Sequence, residues 1–484
     1  MSKQQTDPIE WIVRNESISL HDDNIYHIMT FLKPEFIIGT CMMVSKQWNE
    51  QARIVPIKLL LKHTLPSVHF NLIHLEWTNK NQSMKCVQWI LTCPSNLTAL
   101  SFCDGSENGI GDEGCQLLDC SFMRNLTSLN LNKQSIGNRG CKIIANSSHL
   151  TNLRTLALPS NTFDNEGLKE LVEGSIMVNL TSLDLSYSEN CTNEGFQSLI
   201  TSPYITNLKS LNLAESKVKE LVFSKPLFNL EELNLGGNVM TNITVNYNLC
   251  NLTRLDLSCN ELTDTTCELY SSYKLTDLNL AFTPIGDRTL GSIAYLSLYP
   301  KLTRLEISPP GDHEISPTIV FGIVDNLTML TDLSVNFITM AWLDCMMIAE
   351  CSCFRNMTRL SLEDCDIGSE GVRYITSNKS ELKYLNLEGN GIGDLGCHYI
   401  ATSPFMIHLE TLNLTCNTIY SKGCQSLVTS PFLPRLLSLT LGLTTRRGIE
   451  MLKYHHFDEN CEIDVDEANY SSDEEFDWYA EIEY

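Results

Sequence analysis

An α/β solenoid, with a parallel sheet on one side and short helices on the other, is the fold class this sequence predicts, and three observations predict it. The pattern L-x-x-L-x-L-x-x-N recurs, its first apolar residue standing at Leu97, Leu126, Leu153, Leu180, Leu208, Leu230, Leu252, Leu275, Leu302, Leu330, Met357, Leu382, Leu409 and Leu436. The spacing between those residues is mostly 25 to 29, falling to 22 or 23 from Leu208 to Leu275. Within the repeat from Leu382, Leu385 and Leu387 sit two apart, so a strand turns both to one face and Asn386 to the other. After a turn, Cys397, Ile400 and Ala401 follow at the spacing of a short amphipathic helix able to cover the leucine face. No single unit closes a core, but stacked units do, each touching only its neighbours.

These repeats resemble leucine-rich repeats, whose periods fall in the same range. The longer units look like the ribonuclease-inhibitor subtype. The resemblance covers about four-fifths of the chain and implies a horseshoe with a parallel sheet on its concave side and helices on its convex side.

The 484 residues would suggest about three globular domains, yet a solenoid grows by repetition and one array with end pieces is more economical. Repeats occupy 97–466, and 62–96 reads as a degenerate capping repeat with Ile73, Leu75 and Trp77 in strand slots and Met84, Val87 and Leu91 on a helix. Thirty-four basic and 58 acidic residues give a formal charge of −24, and Asp458 to Glu483 supplies twelve of the carboxylates with no Lys or Arg. Such a chain repels phosphate backbones and anionic membrane surfaces, so the expected partners include no nucleic acid and no membrane. Neither a transmembrane run nor a signal-peptide h-region is visible, so the expected location is the cytoplasm or nucleus; the expected state is a monomer.

Nineteen cysteines include no C-x-x-C pair, and Cys115, Cys141, Cys397 and Cys424 share one slot after a glycine, the buried start of the helix. They read as reduced core residues rather than disulfide partners or metal ligands. Sequons such as Asn96-Leu97-Thr98 and Asn251-Leu252-Thr253 recur where a helix gives way to a buried strand and read as architecture. Gly109-Ile110-Gly111-Asp112-Glu113-Gly114 and Gly391-Ile392-Gly393-Asp394-Leu395-Gly396 match G-x-G-x-x-G. Sibling repeats keep the turn without its first glycine, so repetition explains it better than a nucleotide does. No cofactor is expected, and no metal; His455-His456 reads as a solvated end-helix pair.

Residues 17–61 do not fit the repeat. Ile25, Ile28, Phe31 and Leu32 share a helical face after Asp22 and Asp23, Pro34 ends that helix, and Ile37, Cys41, Val44 and Trp48 mark a second before Pro56. Phe31-Leu32 and Val44-Ser45-Lys46-Gln47-Trp48 resemble an F-box, although Leu20-His21-Asp22-Asp23 departs from that family's usual L-P-x-E. The resemblance implies an F-box-like helical domain whose Ile25, Ile28, Phe31, Leu32, Val44 and Trp48 bind the adaptor of a cullin-RING ubiquitin ligase. A plain helical cap sealing the solenoid is the bland alternative.

Recognition by the solenoid would fall on the concave face, built from the second, fourth and sixth places after each first leucine. In the second place, successive repeats read Glu232, Arg254, Asp277, Arg304, Asp332 and Arg359, followed by Tyr384. On parallel strands these charges are lateral neighbours: either a surface ion-pair ladder or a patterned strip that reads a protein partner. The expected function is therefore a non-catalytic substrate receptor of a cullin-RING ligase. Alternatives are an interaction scaffold without a ubiquitin link, or an activator of a small GTPase, since leucine-rich-repeat activators resemble this chain in repeat length and acidic tail. The tail, 467–484, reads as solvated, with a fold-back of its carboxylates onto the concave arginines as the sharper hypothesis.

Overall fold

Within each of the chain's two units, the L-x-x-L-x-L segments form strands of three to five residues, each paired in parallel with that of the next repeat. The computed structural model describes residues 57–61, 72–77, 83–90, 97–102, 109–269, 274–295, 299–311, 313–442, 444–454 and 461–465. They form two units that divide after Lys217. Ile25, Ile28, Phe31, Leu32, Val44 and Trp48 of the segment that resembles an F-box, the whole of the tail 467–484, and His455-His456 lie outside the described residues.

In the amino-terminal unit, β1 (Ile57–Leu61), β2 (Leu72–Trp77), β3 (Ala99–Phe102), β4 (Ser128–Leu131), β5 (Thr155–Ala157), β6 (Ser182–Asp184) and β7 (Ser210–Asn212) pair in sequence order, all parallel. Helices α1 (Ser83–Ile90), α2 (Gly111–Leu118), α3 (Asn138–Ala145), α4 (Asn165–Glu173) and α5 (Asn193–Ile200) alternate with them from β2 onward. The sheet thus begins at Ile57, inside the span assigned to the helical domain 17–61. Pro56 is where the helical pattern gives way.

The carboxy-terminal unit opens with β8 (Glu220–Leu221), β9 (Glu232–Asn234), β10 (Asn242–Val245), β11 (Arg254–Asp256), β12 (Cys267–Leu269) and β13 (Asp277–Asn279). It continues with α6 (Asp287–Tyr295), β14 (Arg304–Ile307), α7 (Pro317–Asn326), β15 (Asp332–Val335), α8 (Trp342–Glu350), β16 (Arg359–Ser361) and α9 (Gly368–Ser377). It ends with β17 (Tyr384–Asn386), α10 (Gly393–Thr402), β18 (Thr411–Asn413), α11 (Ser421–Val428), β19 (Ser438–Gly442), α12 (Arg446–Tyr454) and β20 (Glu462–Val465). The main sheet runs β9, β11, then β13 through β20 in parallel. The expectation of a helical convex side fails in the short repeats. With only 22 or 23 residues per turn of the solenoid, the return segment has no length for a helix and runs extended. There β8, β10 and β12 form a second parallel sheet, with Ile243 opposite Leu221 and Cys267. At the closing strand Ile463 faces Leu439 as the repeat predicts, but a bulge near Gly442, whose φ is +64°, brings Val465 opposite Gly442 instead of Leu441.

The core lies between sheet and return segments. Leu382, Leu385, Leu387, Ile392, Cys397, Ile400 and Ala401 are all at most 2% exposed. Helices of eight to ten residues are too short to stand alone, and several of them are capped from the preceding repeat. Asp112 Oδ1 accepts from Gly137 N and Gly140 N at 2.8 and 2.9 Å, Asp264 Oδ1 from Gly286 N and Thr289 N, and Asp394 Oδ1 from Tyr420 N and Gly423 N. Asn138 does the same for α4 through Asp164 N and Gly167 N. The sequons have a similar role: Asn251 Nδ2 donates to Phe228 O, Leu252 is buried, and Thr253 Oγ1 donates to Glu231 O.

The last letter of the repeat binds the turns together. Asn417 is 1% exposed; its Nδ2 donates to Leu387 O and Leu414 O, and its Oδ1 accepts from Asn390 N and Ile392 N at 2.9 and 3.2 Å. Asn390 repeats this toward Leu362 O, Cys365 N and Ile367 N, and Asn161 toward Leu131 O, Gln134 N and Ile136 N. Asn390→Ala should lower the stability of the carboxy-terminal unit by about 2–4 kcal/mol, because it orphans buried donors and acceptors at about 1–3 kcal/mol each. Asn390→Ser should cost less, since serine fills this slot at Ser216 and still donates to Leu185 O. Urea unfolding checks both.

Candidate interaction face

The register that stacks the leucines also stacks what stands beside them. Across the main sheet of the carboxy-terminal unit, Glu232 pairs with Arg254, Arg254 with Asp277, Asp277 with Arg304, Arg304 with Asp332, Asp332 with Arg359, and Arg359 with Tyr384. The neighbouring leucines, such as Leu255, Leu305 and Leu360, are buried behind them. All seven residues singled out in the second place therefore lie in one column on the open side of the sheet.

The links in that column are uneven. Arg254 Nη1 lies 2.8 Å from Glu232 Oε1, whereas Arg304 sits 3.9, 3.8 and 3.8 Å from Asp277, Glu306 and Asp332. Arg359 Nε is 3.3 Å from Asp332 Oδ2, and its guanidinium carbon lies 4.1 Å from the centre of the Tyr384 ring. Half-exposed side chains at such distances add little to stability. Burial raises the Asp332 carboxyl, and Arg304 and Arg359 pull it back without cancelling the rise. Asp277 and Glu306 are raised for the same first reason. Burial also raises Glu363, and Glu388 beside it adds to the shift.

Sequence reasoning missed two further features of this face. The sixth place carries Glu363 and Glu388, which accept from Asn386 Nδ2 and Asn413 Nδ2 at 3.3 and 3.0 Å. One place further, at the rim, Phe282 and Phe337 hold their rings 5.9 Å apart on backbone with φ of +54° and +59°. The available signal was the recurrence of large aromatics at that place, Tyr187 in an earlier repeat included.

The other candidate chemistries resolve into structure. In the first glycine motif Gly111 N donates to Gln134 O and Ile110 N to Gln134 Oε1, and in the second Gly393 N donates to Asn417 O and Ile392 N to Asn417 Oδ1. These amides are engaged by the next repeat. Gly111 and Gly393 have φ of +59° and +56°, which accounts for glycine there. The four slot cysteines are buried, and burial pushes the Cys115 thiol up to about 12 and raises Cys141, Cys397 and Cys424. Thiols so placed stay protonated. Among the described residues, no helix is long and apolar enough to cross a membrane.

The "Leucine Rich repeat" family pattern matches residues 149–172, 248–267, 355–375, 379–401 and 405–428. The chain carries leucine-rich repeats. No curated protein matches it in sequence. Among solved structures, an internalin (inlF) from Listeria monocytogenes is 18% identical at a TM-score of 0.35, covering 94% of this chain and 99% of that one. A structure of the Rad7 and Elc1 complex in yeast gives 18% identity and a TM-score of 0.43 over 72% of this chain and 81% of that one. A TLR13–ssRNA13 complex gives 19% and 0.45, over 80% of this chain and 58% of that one.

The carboxylates of this leucine-rich-repeat face set a pH dependence of stability. Asp277, Glu306, Asp332 and Glu363 have pKa values raised above their ordinary 3.8 or 4.5, so the folded chain binds more protons than the unfolded one in that window. Their contribution to stability therefore rises as pH falls through their folded values. Asp264 runs the other way. Burial raises it, but donation from Thr289, Gly286 and Arg288 outweighs that and holds its carboxyl below 3.8, so its contribution is present above that value and lost beneath it. The urea midpoint should rise as pH falls through the folded values of these four carboxylates, and Asp277→Asn with Glu306→Gln should flatten that rise.

Proposed function

We propose that this chain is a non-catalytic receptor that holds a protein partner on the open face of its leucine-rich repeats and presents it to a cullin-RING ubiquitin ligase. The observation that carries the first half is the aligned column from Glu232 to Tyr384. Its guanidinium groups are half exposed, at 52–64%, and the repeat holds them in register on a rigid sheet. An array of that kind suits a broad protein surface better than a small molecule, which favours a concave pocket.

The second half is supported by sequence. Residues 17–61 resemble an F-box in Phe31-Leu32 and in Val44-Ser45-Lys46-Gln47-Trp48, and that resemblance implies binding to the ligase adaptor through Ile25, Ile28, Phe31, Leu32, Val44 and Trp48. In this reading the chain is intracellular, catalyses no reaction and needs no cofactor. If the segment only caps the solenoid, the chain is an interaction scaffold with no ubiquitin link. A small-GTPase activator remains the reading from another class, resting on repeat length and the acidic tail.

Titration of the full chain against a purified F-box adaptor checks the ligase half. The wild-type chain should bind at micromolar concentration or tighter. Phe31→Ala with Trp48→Ala should abolish binding while leaving the unfolding transition of the repeats in place, because solenoid units are stabilised by their neighbours. A wild-type chain that ignores the adaptor would leave the scaffold reading in possession.

A further inference from the structure

The open face of the carboxy-terminal unit is acidic despite its arginines. From Leu230 to Leu436, the second, fourth and sixth places of the repeats hold seven carboxylates against three guanidinium groups, an excess of four negative charges. All three guanidinium groups already lie against carboxylates of the column. Three of the carboxylates, Asp256, Glu363 and Glu388, have no Lys or Arg within ion-pair distance among the described residues; their partners are neutral, Ser258 and Asn279, Asn386 and Asn413 respectively. An incoming anion would have to detach Arg304 or Arg359 from Asp332. An incoming cation would meet Glu363 and Glu388, which stand in the same place of adjacent repeats with paired strands.

The rim adds an anchor. Phe282 and Phe337 are 47% and 36% exposed, large apolar side chains at the turn place where φ is positive in most repeats, Ser160, Tyr187, Cys259 and Asp364 among them. Phe337 N donates to Glu363 O at 2.8 Å, so the aromatic pair borders the acidic stripe directly. Aromatic rings beside carboxylates fit one kind of side chain, a long aliphatic stem ending in a positive charge.

We propose that this face takes a basic segment of a protein, with lysine or arginine charges on Asp256, Glu363 and Glu388 and one such side chain lying across Phe282 and Phe337. The inference deepens the protein-receptor reading above and rests on it. It also weighs against the fold-back of the acidic tail 467–484 onto the arginine column and for the solvated tail, since tail and face carry charge of the same sign.

Random dodecapeptides displayed on phage and selected on the full chain test the assignment. The selected pool should be enriched in Lys and Arg. A peptide drawn from it should bind at least about tenfold more weakly to the Glu363→Gln/Glu388→Gln chain, to the Phe282→Ala/Phe337→Ala chain, and to the wild type at about 0.5 M salt. A pool rich in Asp and Glu, losing affinity for the Arg304→Gln/Arg359→Gln chain, would overturn the basic assignment and leave the face as a protein-binding surface. Peptides indifferent to all of these substitutions, or no selected peptide, would overturn both the assignment and the reading beneath it.

Discussion

A tight turn inside a stack of repeats buries backbone amides and carbonyls that no strand or helix can pair, and the rest of this structure depends on how those groups are satisfied. The buried asparagine does it with one side chain, donating twice or more through Nδ2 and accepting twice through Oδ1. Leaving two such groups unpaired would cost about 2–6 kcal/mol, comparable with the burial of two leucines at about 1.5–3 kcal/mol each. Apolar packing alone therefore leaves the turn marginal. In three repeats that lack asparagine there, a smaller donor keeps the bond to the preceding repeat: Thr283 Oγ1 to Leu257 O, Ser216 Oγ to Leu185 O, Cys365 Sγ to Val335 O. The slot is held by Pro310 and Ile338 in two others, which bring no side-chain donor, and the Ser188 hydroxyl has no partner among the described residues.

Once the turns are tied, strand register follows, and with it the columns on the open face. The leucines are held by packing, and on the open side of the sheet the second, fourth and sixth places carry a residue that changes from repeat to repeat; Arg254, Arg304, Arg359, Glu363 and Glu388 stand in that strip. The return segment varies too. Its length alone decides between α9 in a repeat of 25 residues and β10 in one of 22.

The sequence made the strands, the leucine core and the charged column legible, because side-chain period and repeat spacing act locally and every unit restates them. Leu385 and Leu387, or Arg304 beside Asp332, need nothing beyond a ruler. The helix caps were not legible, because the atom that caps α11 belongs to Asp394, one repeat earlier, and local capping rules look for it at Tyr420. The back strands β8, β10 and β12 were hidden by too few residues to show a period of either kind. The rim aromatics escaped because a phenylalanine at positive φ violates the local preference that sequence reasoning applies.

Where asparagine ends the repeat, its side chain, rather than the leucines alone, holds the turn. Native-state hydrogen exchange of the full chain tests it at single amides. Cys365 N and Ile367 N, held by Asn390, and Asn390 N and Ile392 N, held by Asn417, should exchange as slowly as strand amides and open only with the unit. Exchange of these turn amides at the rate of exposed loops, while the amides of β16 to β18 stay protected, would contradict the account.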